Sequence, residues 1–241
     1  VGASIAAAFG ARAIGRFLKD SIRVGGEAQA IWNRLAQAVE NAGTNYKAVE
    51  QDIHRVANAM QAATKVGDED FATILTELIT TTNDYEKSLK AVDVVVNLAA
   101  AKHMDLRAAA QLVGRALVGQ TSTLTRYGII IKEGEDAMEV LRHQFRGFAE
   151  NEAVTFEGKL VQLNNAWGDF KQAIGEALIA GAEGETMLNK LTRTVQKLTE
   201  AVDIFSRAYG GISETAFRNE QAITRVVASA KTPEAALVGL E

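Results

Sequence analysis

The chain has 241 residues, of which 47% are hydrophobic but only 6% aromatic, and its formal net charge is −4. The absence of cysteine excludes disulfides, thiolate catalysis and cysteine metal sites, and the lack of a basic surplus argues against specific nucleic-acid binding. A single proline, Pro233, leaves everything before it free to be helical, and alanine-rich composition suits long helices packed closely together better than the bulky core of an enzyme.

The first segment, residues 1–26, reads "VGASIAAAFGARAIGRFLKDSIRVGG". Arg12, Arg16, Lys19 and Arg23 recur at helical spacing, and Ile5, Phe9, Ile14, Phe17, Leu18 and Ile22 supply an apolar side. This is either a basic amphipathic helix that lies on a membrane or a helix that packs on a neighbour with a solvated basic stripe. Gly25-Gly26 is expected to end it.

Residues 27–66 form a second segment. Leu35, Val39, Ala42, Tyr46, Val49, Ile53, Val56, Met60 and Ala63 are spaced alternately by four and three, the heptad rhythm of helices that wrap around each other. One long helix over 27–65 is expected, more than ~50 Å in length at ~1.5 Å per residue, with Gly43 as its soft spot.

Residues 67–150 read as a compact helical block. Gly67 is a plausible helix stop, and Asp68, Glu69 and Asp70 favour a helix N-terminus through its dipole. Phe71, Ile74, Leu75, Leu78 and Ile79 mark one helical face, then Leu89, Val92, Val96 and Ala99 another. Asp105 is placed to cap "LRAAAQLVGRALVG", where Leu106, Ala109, Val113 and Leu117 align until Gly119. The stretch "LTRYGIIIKEG" puts three isoleucines between two glycines. Tyr127 and Ile129 to Ile131 are expected to pack on the block while Gly128 and Gly134 turn the chain. Met138, Leu141, Phe145 and Phe148 mark a further helix.

Residues 151–241 carry two more heptad runs, with helices expected near 154–180 and 186–210. One run is Phe156, Leu160, Leu163, Trp167, Phe170, Ile174 and Ala177. The other is Leu188, Leu191, Val195, Leu198, Val202, Phe205, Tyr209 and Ile212, and "AGAEGE" separates the two. The fold class expected is all-α: long coiled-coil-like helices flanking a compact helical block.

No chemistry stands out. His54, His103 and His143 lie far apart in sequence, none with a second ligand type at metal spacing, and read as solvated or capping histidines. "GAEGE" lacks the strand, lysine and hydroxyl of a phosphate loop, and no serine sits in a nucleophile elbow. Asp68/Asp70 and Glu133/Glu135 fall in first turns or loops, and Trp32 and Trp167 lie on helical faces, where packing is the default. The expected set of catalytic, cofactor-binding and metal-binding residues is therefore empty, with no cofactor. No apolar run approaches the ~20 residues of a membrane span, and no cleavable signal peptide is visible. The end just after "AALVGLE", without a closing element, reads as a piece of a longer protein.

From Ala57 to Leu178, about half of the chain, three blocks follow one another: "ANAMQAATKVGDEDFATILTEL", then "AVDVVVNLAAAKHMDLRAAAQLVGRALVGQTSTLTRYGIIIKEG", then "TFEGKLVQLNNAWGDFKQAIGEAL". Each block alone is degenerate. In this order they resemble the amino-terminal helical region of the tape-measure proteins of long-tailed bacteriophages and prophages. The resemblance implies a structural, non-enzymatic role in the lumen of the tail tube, where chain length sets tail length and the protein leaves ahead of the DNA. It implies tail-tube protein, tail-tip (distal tail) proteins and tail-assembly chaperones as partners, and contact with the host membrane during infection. It also implies residence in the host cytoplasm during assembly and in the virion tail afterwards. Exposed heptad stripes add an expectation of homo-oligomers. Two rival classes stay open on the residues alone: a generic coiled-coil scaffold, and a membrane-active, pore-forming helical protein.

Overall fold

A computed structural model describes residues 2–180 and 185–209, with the side chains of 16–179 and most of those from 189 to 207. The fold is helical, with no strand among the described residues. The helices are α1 (Gly2–Asn41), α2 (Tyr46–Ala63), α3 (Asp68–Thr82), α4 (Tyr85–Leu89), α5 (Val92–Lys102), α6 (Leu106–Leu117), α7 (Ala137–Phe145), α8 (Phe148–Ala153), α9 (Phe156–Ala180) and α10 (Glu185–Tyr209). A 3-10 turn, Thr121–Tyr127, follows α6. Two compact units partition the chain, Gln29–Gln162 and Val1–Ala28 with Leu163–Glu241.

Three expected helix boundaries are corrected. Gly25-Gly26 does not end the first helix, which runs on to Asn41. The expected single helix over 27–65 is broken at 42–45, so its residues fall on α1 and α2. Gly67 likewise starts a helix instead of stopping one: α2 ends at Ala63, and Gly67 is the N-cap of α3. Asp68, Glu69 and Asp70 do occupy the first turn of α3, where carboxylates oppose the positive end of the helix dipole.

The unit Gln29–Gln162 is built around α3, α5 and α6. Helix α5 is short and apolar on most sides, with Val92, Val94, Val95, Val96, Leu98 and Ala99 all buried, as a central helix must be. Helix α3 contributes Phe71, Ile74, Leu75, Leu78 and Ile79 to the same core. The heptad face of 27–65 is used here as well: Leu35, Val39 and Ile53 are buried in this core beside Ala57, with Val49, Val56 and Met60 packed against it. That face therefore finds its cover within the chain.

Helix α6 approaches α3 closely because Gly114 lacks a side chain. A Cβ there would lie 3.2 Å from the Thr81 Cβ. Local caps set the register of the block. Asp105 accepts from the amides of Arg107 (2.9 Å) and Ala108 (3.1 Å), and Asp136 from those of Met138 (2.7 Å) and Glu139 (3.3 Å). Helix α6 ends in a left-handed turn at Gly119, φ +85°.

The three isoleucines do not behave alike. Gly128 turns left-handed, φ +74°, and the Ile129 amide bonds to the Leu124 carbonyl at 3.2 Å. This drives Ile129 into the core, whereas Ile130 points to solvent at 70% exposure and Ile131 is half-buried. Tyr127 is exposed too. The expectation that Tyr127 and all three isoleucines pack on the block is corrected to Ile129, with partial cover of Ile131.

The other unit has a small core of its own. Ala166 and Phe170 of α9 and Val195 and Leu198 of α10 are buried together, with Phe17, Leu163, Ile174, Ala201 and Val202 around them. Phe17, Trp167 and Phe170 form an aromatic cluster, with ring centroids 5.5 to 6.2 Å apart. Within the first α9 heptad run, burial is concentrated at Phe170, while Phe156 and Leu160 stay exposed. In the second run, the side chains of Leu188, Leu191 and Tyr209 lie outside the described residues, as do Ile212 and the spacer between α9 and α10.

Candidate functional site

The three histidines have different surroundings. His54 on α2 stacks on Trp32 of α1, ring centroids 4.1 Å apart. His103 ends α5 in the left-handed region, φ +49°, a capping role that histidine tolerates better than most side chains. His143 lies on α7 beside a broad, open depression of about 590 Å³ lined by Gly134, Glu135, Asp136, Glu139, Val140 and Gln144. Two of the carboxylates there are already engaged: Asp136 caps α7, and Glu135 accepts from the Lys132 amide at 2.9 Å. The depression is open to solvent, and Glu139 borders it beside His143.

Two phenols are perturbed by their surroundings. Tyr85 is almost fully buried, and burial, followed by the nearby charges of Asp52 and Glu86, pushes its hydroxyl above the ordinary tyrosine range. Tyr46 moves the same way, from burial and then Glu50. Both stay protonated through the physiological range.

The densest charge arrangement lies in the unit that contains the α1 amino-terminal half. Asp20 accepts from Lys171 of α9 at 2.9 Å and from Arg23 at 2.6 Å, and Arg23 also forks onto Glu27 at 2.8 Å. The hydrogen bonds from Lys171 and then Arg23 hold the Asp20 carboxyl below the usual carboxylate range. Arg23 is therefore not one of a row of unpaired cations, and Phe17, from the expected apolar side, is inside the aromatic cluster. Arg16 and Lys19 remain exposed, while the Arg12 side chain lies outside the described residues.

Beside this network α1 and α9 cross at unusually short range. A Cβ on Gly175 would lie 1.9 Å from the Ser21 carbonyl oxygen, and one on Gly25 would lie 3.1 Å from the Glu176 nitrogen. Ser21 is fully buried at the crossing, and its hydroxyl has no hydrogen-bond partner. The sequence signal was Ser21 and Gly25 one helical turn apart, facing the glycine of "AIGEAL". Read along a single strand of sequence, the same glycine pair looks like a helix stop.

Among the described residues, no helix is long and apolar enough to cross a membrane. No protein-family model, curated protein or solved structure matches the chain.

Proposed function

We propose that this chain is a structural segment of a phage or prophage tail tape-measure protein, acting by its helical body and not by catalysis. The observation that carries the reading is the order of the three blocks between Ala57 and Leu178. It is supported by an all-helical fold whose carboxyl-side helices α9 and α10 are 25 residues each. In this reading α9 and α10 continue as coiled-coil-like rods in the tail-tube lumen. Tail-tube subunits assemble around the chain, tail-tip proteins bind its end, and assembly chaperones hold it before the tube closes.

The test is a length measurement. If tube growth stops where an extended helical chain ends, each residue contributes roughly 1.5 Å of tail. Deleting Leu188 to Ala201, two heptads, keeps the a/d register on both sides, so tails should shorten by about 21 Å. Averaged electron micrographs of assembled tails resolve such a change. Tails of normal length would show that these residues measure nothing, and failure of the gene product to enter tails at all would remove the assignment.

A further inference from the structure

The break between α1 and α2 differs from an ordinary helix-to-helix turn. Leu35, Val39, Ala42, Tyr46, Val49, Ile53, Val56 and Met60 keep their steps of four and three straight across it, as though Ala42–Asn45 were helical residues. A turn that serves only to reverse the chain places no such constraint on the count. No proline stands in the break.

What closes it is local. The Thr44 amide bonds back to the Val39 carbonyl (3.1 Å) and the Gly43 amide to that of Glu40 (3.0 Å), a glycine-terminated helix end with Gly43 at φ +81°. Asn45 then caps α2 through the Ala48 amide at 3.2 Å, and the Glu40 carboxylate accepts from the Tyr46 amide at 2.8 Å. All of these bonds are solvent-exposed or lie within the turn, and a continuous helix would replace them with its own ladder. The closed form leans on glycine, which enters the left-handed region freely and is disfavoured inside a helix.

Straightening the break would expose Leu35, Val39, Ile53 and Ala57, which are buried in the closed form. A second copy of this chain removes that cost, because its own core holds a place of the same shape. We infer that Ala42–Asn45 is an exchange hinge, across which α1 and α2 join into one continuous helix while two copies swap their α1 segments. Exchange re-forms the buried contacts of Leu35, Val39, Ile53 and Ala57 and changes the backbone at the hinge with its local caps, which is why swapping is a low-cost route to dimers. The inference concerns the turn alone and does not depend on the tape-measure reading.

The chain lacks cysteine, so spin labels can be placed at will. Trp32 and His54 touch in the closed form, and the adjacent Asn33 and Arg55 are exposed. Labels introduced by Asn33→Cys and Arg55→Cys flank this contact in sequence and report the short distance of the closed chain. In the joined helix they stand 22 residues apart, about 33 Å by helical rise.

Gly43→Ala penalises the left-handed turn and favours helix, and two hinges change per dimer. It should raise the association constant roughly a hundredfold or more. Sedimentation should show a dimer, and doubly labelled chains diluted in unlabelled ones should give the long distance. Adding Tyr46→Pro should restore the monomer and the short distance. Tyr46 is the first residue of α2, and Asn45 already has the extended ψ of 111° that a residue before proline requires, so proline fits the closed form at the loss of one exposed bond, from the Tyr46 amide to Glu40. Tyr46→Ala in the same background, which loses the ring but permits helix, should stay dimeric. A Gly43→Ala protein that remains monomeric, a dimer that keeps the short distance, or a dimer that survives Tyr46→Pro would each overturn the hinge.

Discussion

Gly175→Ala is the most discriminating perturbation of the α1–α9 crossing. The added methyl would sit 1.9 Å from the Ser21 carbonyl oxygen and 2.6 Å from its carbon, well inside ordinary contact. Both atoms are backbone, so no rotamer change relieves the clash, and one helix must move by more than an ångström. Overpacking of this kind costs about 1–3 kcal/mol. Moving the helices apart also loosens the Phe17, Trp167 and Phe170 cluster beside the crossing. Against this, replacing glycine by alanine inside a helix contributes about 1 kcal/mol of stability.

Gly168 provides the internal reference. It lies on the same helix, and a Cβ there meets nothing within 4 Å. Gly168→Ala should therefore raise stability by up to about 1 kcal/mol, the propensity effect alone. Gly175→Ala should fall below Gly168→Ala by about 1–3 kcal/mol, read from thermal and urea unfolding followed by circular dichroism and by tryptophan fluorescence. Equal stability of the two variants would refute the close crossing. A Gly175→Ala protein more stable than the wild type would refute it outright.

Ile129→Asp should destabilise the unit Gln29–Gln162 by several kcal/mol, because it buries a carboxylate without a partner. Ile130→Asp, at a position 70% exposed, should stay within about 0.5 kcal/mol of wild type; paired urea titrations decide, and similar losses at both sites would contradict the described loop. The Asp20 carboxyl, held low by Lys171 and Arg23, contributes stability above the ordinary carboxylate pKa of about 4. That contribution disappears as the pH falls through its lowered folded-state value. Melting temperatures of wild type and Asp20→Asn should therefore differ near neutrality and converge at the acid end of a titration, whereas a constant offset at all pH values would remove Asp20 from the network.

Much of the secondary structure was legible because its causes are local. The start and the face of the helix in "DEDFATILTELI" are written locally: three carboxylates sit at its start and an apolar face follows at helical spacing. Asp105 caps α6 through amides two and three residues on, so the capping residue, the helix it starts and the glycine after it can all be read together.

Tertiary structure decided the questions for which one residue type has two physical meanings. Glycine is either a place to turn left-handed or a place where backbones meet, and the sequence does not mark which. Gly43 turns the chain with φ +81°, whereas Gly25 stays helical because the backbone of Gly175 and Glu176 lies against it. The heptad face of 27–65 declares that it needs cover, but whether that cover is a second chain or its own core depends on contacts distant in sequence. In this fold Leu35, Val39 and Ile53 are covered from within. Among the three adjacent isoleucines, hydrophobicity is identical and only the path of the backbone after Gly128 separates the buried Ile129 from the exposed Ile130. Composition and periodicity determine that a helix forms and which face is greasy; the close approach of other segments determines what that face meets.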